Sequence, residues 1–127
     1  EVPIDGRFVT IVNNSMRVGK PLGLMLENLG ATVVKCYART PTDDLRDCLR
    51  RADIVVTAVP DASFSIDGSA LKPGAALVDV SYQGNVDLKS LRGVSFTTAV
   101  DNRIGQVTRT MMFVNLIYCA RAQKARR

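Results

Sequence analysis

Residues 9–23 read VTIVNNSMRVGKPLG. A β-branched run ends in Asn13-Asn14-Ser15, and Val18-Gly19-Lys20-Pro21 opens a helical pattern shortly after. A strand that passes into a helix through small polar residues offers unpaired backbone N–H groups and the positive end of a helix dipole. Those two features bind phosphate. Ser15 adds a hydroxyl donor, and Gly19 allows close backbone approach. Asn13 and Asn14 tolerate left-handed conformations better than most residues that carry a side chain. The pattern GxGxxG is absent, so two readings stand. The loop is a phosphate cradle, or it is an Asn-rich turn capping a core helix. Asn13-Asn14-Ser15 also spells an N-x-S sequon, but no secretory signal accompanies it.

The next candidate lies at the end of the second strand pattern. Dinucleotide folds that hold NAD usually place a carboxylate there, on the ribose 2′-hydroxyl. Here the stretch reads Cys36-Tyr37-Ala38-Arg39-Thr40, without a carboxylate. The planar donor fork of Arg39 suits a 2′-phosphate, and an ordinary exposed loop arginine is the competing reading.

Other chemistries are excluded by residue type. The chain has no histidine, so neither a Ser-His-Asp triad nor a histidine general base can form within it. Cys36, Cys48 and Cys119 are widely spaced and make no CxxC pair, which fits reduced thiols rather than a Cys/His zinc site. The net charge of +5 raises the question of nucleic acid. Arg121, Lys124, Arg126 and Arg127 supply four of those charges, leaving a body of +1. No aromatic residue is interleaved with that tail, so a solvated helix end is favoured over a nucleic-acid site. The opening EVPIDGRF is polar and no apolar run approaches the ~18–20 residues of a membrane span, which predicts an intracellular protein with no membrane association. The 127 residues suit one domain, and a first residue other than Met suggests a piece of a longer protein.

Short apolar runs alternate with helical patterns and must position these residues. Strands are expected at 8–12, 31–37, 53–59, 76–82 and 94–100. Helices are expected over 20–30, where Leu22, Met25, Leu26 and Leu29 share one face, and over 43–52, with Thr42 or Asp43 as cap. A short helix and a turn at Pro73-Gly74 fill 65–75, and a long helix runs from about Gln106 to Lys124. Uninterrupted rather than alternating apolar strands predict a parallel sheet covered on both faces. The expected fold is α/β, a Rossmann-like doubly wound parallel sheet in three αβα layers. Ligands in such folds sit beyond the carboxyl ends of the strands, near the switch point.

The motifs also carry a family likeness. Asn13 to Pro21 parallels G-R-S-x-x-V-G-x-P, and Cys36 to Thr40 parallels C-H-S-[RK]-T. Ala52 to Ala58 matches A-D-I-(V/L)-V-x-A, Leu71 to Gln83 matches L-K-P-G-A-x-V-I-D-V-G-I-N in part, and Gly84 to Asp87 parallels G-D-V-D. Thr98 to Met112 stands where T-P-V-P-G-G-V-G-P-M-T would. In this order, over nearly the whole chain, they resemble the C-terminal NAD(P)-binding domain of methylenetetrahydrofolate dehydrogenase/cyclohydrolase.

The resemblance implies NADP or NAD as cofactor, with residues 1–127 as the dinucleotide-binding domain. It implies that Asn13, Asn14, Ser15, Arg17, Val18 and Gly19 form the pyrophosphate loop, with Arg39 near the adenosine ribose. Val59 and Pro60 would border the ribose cleft, Ser81 and Tyr82 would lie beside the nicotinamide, and Thr108 would touch it from the last helix. It implies hydride transfer from the folate methylene bridge to NAD(P)⁺ followed by methenyl hydrolysis, in the cytosol or mitochondrion. The tetrahydrofolate substrate would be met through an N-terminal domain carrying a catalytic lysine and tyrosine. A homodimer is common in the family. No Tyr-x-x-x-Lys occurs here, since Tyr37, Tyr82 and Tyr118 precede Pro41, Val86 and Ala122 at that spacing. No catalytic residue is therefore assigned in this chain, and it alone is expected to be inactive.

Several positions depart from the family pattern. Asn13 and Asn14 replace its Gly and Arg, and Ala38 replaces its Ser, the groups suited to a 2′-phosphate. Asp101 to Gln106 replaces P-G-G-V-G-P and keeps only Gly105. These changes sustain an alternative, a non-catalytic Rossmann module retained for binding or assembly. Part of the last helix's apolar stripe is expected to be exposed, which predicts a partner or poor solubility.

Overall fold

The computed structural model describes residues 2–99 and 104–124. In chain order the strands are β1 (Phe8–Val12), β2 (Thr32–Cys36), β3 (Ile54–Thr57), β4 (Ile66–Asp67), β5 (Ala76–Asp79), β6 (Val86–Asp87) and β7 (Phe96–Thr97). The helices are α1 (Gly19–Asn28), α2 (Thr42–Arg51) and α3 (Ile104–Lys124). The main sheet runs β2-β1-β3-β5-β7 with every pair parallel. From β1 the chain passes to β2 on one side, and β3 then returns to the other side of β1. The switch point therefore lies between the carboxyl ends of β1 and β3.

The uninterrupted strands are explained by two covered faces. Val9, Ile11, Ile54, Val56 and Ala76 pack on one side with Leu26 of α1. Val12, Val55 and Leu77 pack on the other with Leu49 of α2, Ile66 and Val86. Successive residues of each strand thus enter opposite cores, as the pleat requires. Thr10 is fully buried, and its hydroxyl donates to the Cys48 carbonyl of α2 at 3.0 Å.

Helix α1 stops where expected. Gly30 has φ 85°, its N–H donates to Glu27 and the Ala31 N–H to Leu26, which is a Schellman closure. The cap of α2 differs from expectation. The helix already includes Thr42, its N-cap is Pro41, and no side chain caps it. Asp43 and Asp44 instead lie inside the first turn, where the helix dipole favours carboxylates.

The segment 65–75 holds no regular α-helix. Ile66-Asp67 pairs with Val86-Asp87 in a separate parallel ladder, and a single 3₁₀ turn follows over Gly68–Ala70. Gly68 lies against Leu91, whose Cα would be 2.7 Å from an added Cβ, so this turn is held by tertiary contact rather than helix propensity. The fifth strand of the main sheet is shorter than expected because Thr98 turns its hydroxyl onto the Asp79 N–H. Val100 and the loop residues Asp101 to Arg103 lie outside the described residues, as do Arg126 and Arg127 of the basic tail. No residue of α3 is buried, and Phe113, Leu116 and Tyr118 are each about two-thirds exposed. Among the described residues no helix is long and apolar enough to cross a membrane.

Candidate functional site

The loop after β1 is built around Asn13. Its Oδ1 accepts from the Ser15 N–H at 2.8 Å, the Ser15 hydroxyl at 2.7 Å and the Gly19 N–H at 2.9 Å. Its Nδ2 donates to the Ala58 carbonyl after β3 at 2.6 Å. Ser15 adds a second layer: its Oγ accepts from the Val18 N–H and its carbonyl from the Lys20 N–H. The N–H groups of Val18, Gly19 and Lys20, orphans in an uncapped helix, are thus satisfied from within the chain. A Cβ on Gly19 would stand 2.1 Å from the Asn13 carbonyl oxygen, so only glycine lets α1 start this close to β1. The geometry is that of the Asn-rich turn capping a core helix. It is an Asn-built cap, and it leaves Arg17 exposed at the rim of the helix start.

A cavity of about 490 Å³ opens beside this loop, over the carboxyl ends of β2, β1 and β3. Val12, Cys36, Leu45, Val59 and Phe64 give it apolar walls. Asn14, Thr40 and Asp61 supply polar groups around them. Thr40 fixes the far rim by accepting from the Tyr37 N–H at 3.0 Å. Burial pushes the Cys36 thiol up to about 12, with Cys48 and Asp44 reinforcing the effect, so it serves as apolar wall rather than nucleophile.

A second cavity of about 260 Å³ lies over the ends of β5 and β7, bounded by Ser81, Tyr82, Gly84 and Thr98. A buried polar network shapes its floor. Asp79 accepts from the Ser81 N–H and hydroxyl on one oxygen and from the Asn85 N–H, at 2.7 Å, on the other. Asn85 is fully buried, accepts from the Thr57 hydroxyl and the Val59 N–H, and donates to the Val59 carbonyl. It acts as a peptide unit inserted between the β3 and β5 ends. Val59, on the wall of the larger cavity, is thereby tied through Asn85 to Asp79, which lines the smaller. From β2 to β5 is three strand spacings, roughly 14 Å.

The structure gathers most of the sequence-derived candidates along this edge. Asn13, Asn14, Val59 and Pro60 line the larger cavity, and Ser81 and Tyr82 line the smaller. Ser15, Arg17, Val18 and Gly19 form the adjoining helix start. Arg39 does not line the larger cavity, although Ala38 and Thr40 on either side of it do. Thr108 stands on exposed α3, its hydroxyl donating to the Ile104 carbonyl within its own helix, and lines neither cavity. Sequence reasoning passed over Asp61 and Asn85. Asp61 follows Pro60 at the end of the third strand, where ligands of such sheets lie, and that position was a usable signal.

A larger cavity, about 680 Å³, lies at the opposite edge, beside Arg7, Asp53, Gly74 and Phe96. It faces the amino ends of the strands, where this architecture presents no helix N-terminus to a ligand. Asp53 there is structural. Its carboxylate takes the Lys72 ammonium at 2.5 Å and the Phe8 N–H at 3.0 Å, which together hold it below the usual carboxylate range.

The comparisons with known proteins bear on the family and the fold. A bifunctional protein FolD of Halalkalibacterium halodurans is 39% identical over 128 residues, which cover 94% of this chain and 45% of that protein. The structure of a 5,10-methylenetetrahydrofolate dehydrogenase from the silkworm Bombyx mori superposes with a TM-score of 0.86 at 31% identity, over 96% of this chain and 46% of that one. A methylenetetrahydrofolate dehydrogenase-cyclohydrolase of Trypanosoma brucei, complexed with NADP cofactor and inhibitor, gives 0.82 at 28% identity, over 91% of this chain and 44% of that one. The chain thus spans less than half the length of these relatives. The family model for the tetrahydrofolate dehydrogenase/cyclohydrolase NAD(P)-binding domain matches residues 1–124, and the chain belongs to that family.

Proposed function

We propose that this chain is the dinucleotide-holding half of a methylenetetrahydrofolate dehydrogenase/cyclohydrolase. The observation that carries the reading is the pair of cavities at the carboxyl edge of the sheet, linked by the hydrogen bonds from Val59 through Asn85 to Asp79. The larger, with apolar walls and a polar rim, suits an adenosine. The smaller, beside Ser81 and Tyr82, suits the nicotinamide end. Ser15 and Arg17 between them would meet the pyrophosphate, through side chains more than through helix N–H groups. When bound, the nicotinamide accepts hydride from the folate methylene bridge. The chain's own part is to hold and orient. Asn85 and Asp79 fix the floor, and Gly19 sets the approach of α1. Methenyl hydrolysis, folate contacts and the catalytic pair would belong to an N-terminal half, and the whole would work as a homodimer in the cytosol or mitochondrion.

The test is a nicotinamide-fluorescence titration of the chain with NADH and NADPH, alongside a turnover assay with methylenetetrahydrofolate. Saturable binding that is lost in Gly19→Asp, without turnover, is the expected result. A second reading, a Rossmann module retained for binding or assembly, is favoured by one observation: Asn13 already occupies the Gly19 N–H. Failure of both cofactors to bind up to millimolar concentration would support it over the first.

A further inference from the structure

We propose that Asp61 selects between the two cofactors, favouring NAD over NADP. The inference rests on the dinucleotide reading above and adds which dinucleotide the chain takes. Asp61 lines the larger cavity with an exposed carboxylate. The Ser63 hydroxyl and N–H both donate to its Oδ1, at 2.7 and 2.8 Å, leaving Oδ2 without a partner among the described residues. These bonds stabilise the charged form and hold it below the usual carboxylate range. A carboxylate with a free oxygen accepts well from a ribose diol. It repels a 2′-phosphate, which carries a charge of about −1.5 to −2 at neutral pH.

No compensating cation is found on the cavity wall. Among the described residues neither Lys nor Arg lines it. Arg39 is exposed on the adjoining loop, outside the lining. The nearby start of α2 adds further negative charge. Asp43 and Asp44 follow the lining residue Thr42; Asp43 pairs with Arg46 at 3.4 Å, whereas the field of Asp44 reaches Cys36 on the wall. Asn14 and Ala38, also on the wall, bring no charge of either sign. Asp61 is therefore the charged side chain among the lining residues, and a dianionic 2′-phosphate in this cavity would be disfavoured.

The test is a fluorescence titration of the chain, Asp61→Asn and Arg39→Ala with NADH and NADPH, each at low and high salt. Asp61→Asn keeps an oxygen for the Ser63 turn and removes only the charge. Asp61→Ser is a second uncharged variant should the first fold poorly. The parent chain should bind NADH about tenfold or more tightly than NADPH, as expected for charges repelling within a few ångströms at a partly exposed site. Both uncharged variants should narrow that ratio, chiefly through tighter NADPH binding. Salt should narrow it in the parent and leave it nearly fixed in the variants. NADPH binding as tight as NADH in the parent, or an unchanged ratio in the Asp61 variants, would overturn the inference and leave the dinucleotide reading intact. A collapse of NADPH affinity in Arg39→Ala would likewise overturn it, in favour of Arg39 as a 2′-phosphate ligand. Binding of neither cofactor would overturn both.

Discussion

Asn13 reaches from the end of β1 to the end of β3, where its side-chain amide donates to the Ala58 carbonyl at 2.6 Å. The two residues face each other across the switch point. The same side chain caps α1 through Gly19, so one amide joins two strands and a helix start. A glycine at this position would leave that helix start open to a phosphate. The loop therefore combines a stabilising plug with a site that normally stays vacant for ligand.

Asn13→Gly should separate these roles. Losing the bridge and adding backbone freedom should cost about 1–3 kcal/mol of stability. Freeing the Ser15 and Gly19 N–H groups should at the same time tighten dinucleotide binding. Urea denaturation and an NADH titration of the same variant would read both effects. A variant weaker in both would mean that Asn13 serves the ligand directly.

Gly19→Ala should be far worse than an ordinary helix substitution. Alanine normally favours a helix, yet here its Cβ would meet the Asn13 carbonyl oxygen at 2.1 Å. Relieving that overlap by shifting α1 should cost about 1–3 kcal/mol. The check is a fall in thermal midpoint together with loss of cofactor affinity.

Asn85→Leu keeps the volume and removes the polar atoms. The Thr57 hydroxyl and both Val59 backbone groups would lose buried partners. At about 1–3 kcal/mol for each of these three groups, a loss of about 3–9 kcal/mol is expected. The floor of the smaller cavity should loosen with it, seen as faster amide exchange at Ser81 to Gly84.

Asp53 sets a pH dependence. Its carboxyl is held low by Lys72 first and by the Phe8 N–H next. A depressed folded value means the contribution is fully present above the unfolded carboxylate range, about pH 4. It is lost as pH falls through the lower folded value. Asp53→Asn should therefore melt below the parent at pH 7, and the gap should shrink toward pH 3. A gap constant with pH would show that the Lys72 pair contributes nothing to stability.

Much of this arrangement is legible in the residues. Val9 to Val12 and Ile54 to Thr57 read as parallel strands because both faces of each are covered, and Gly30 reads as a helix stop because its φ of 85° suits glycine. What escapes a linear reading is contact between distant residues. The β4–β6 ladder joins two dipeptides too short to carry a strand pattern, with the Ile66 N–H donating to the Asn85 carbonyl beside it. Thr42 reads as a helix cap by type, but Pro41 already sets the first turn. Asp61 is exposed, and only the fold shows that it lines one cavity with Cys36 and Tyr37. The family resemblance sets Thr108 at the nicotinamide, whereas in the structure its hydroxyl bonds back to Ile104 on a helix with no buried residue.

The central claim, a dinucleotide laid across the carboxyl edge of the sheet, is tested most directly by amide chemical-shift mapping of the isotope-labelled chain titrated with NADH. Shifts should concentrate in Val12 to Gly19, Tyr37 to Thr40, Val59 to Phe64 and Ser81 to Gly84, spanning both cavities with one saturation curve. Shifts confined to the opposite edge, around Arg7, Asp53, Gly74 and Phe96, or no saturable shift at millimolar NADH, would contradict it.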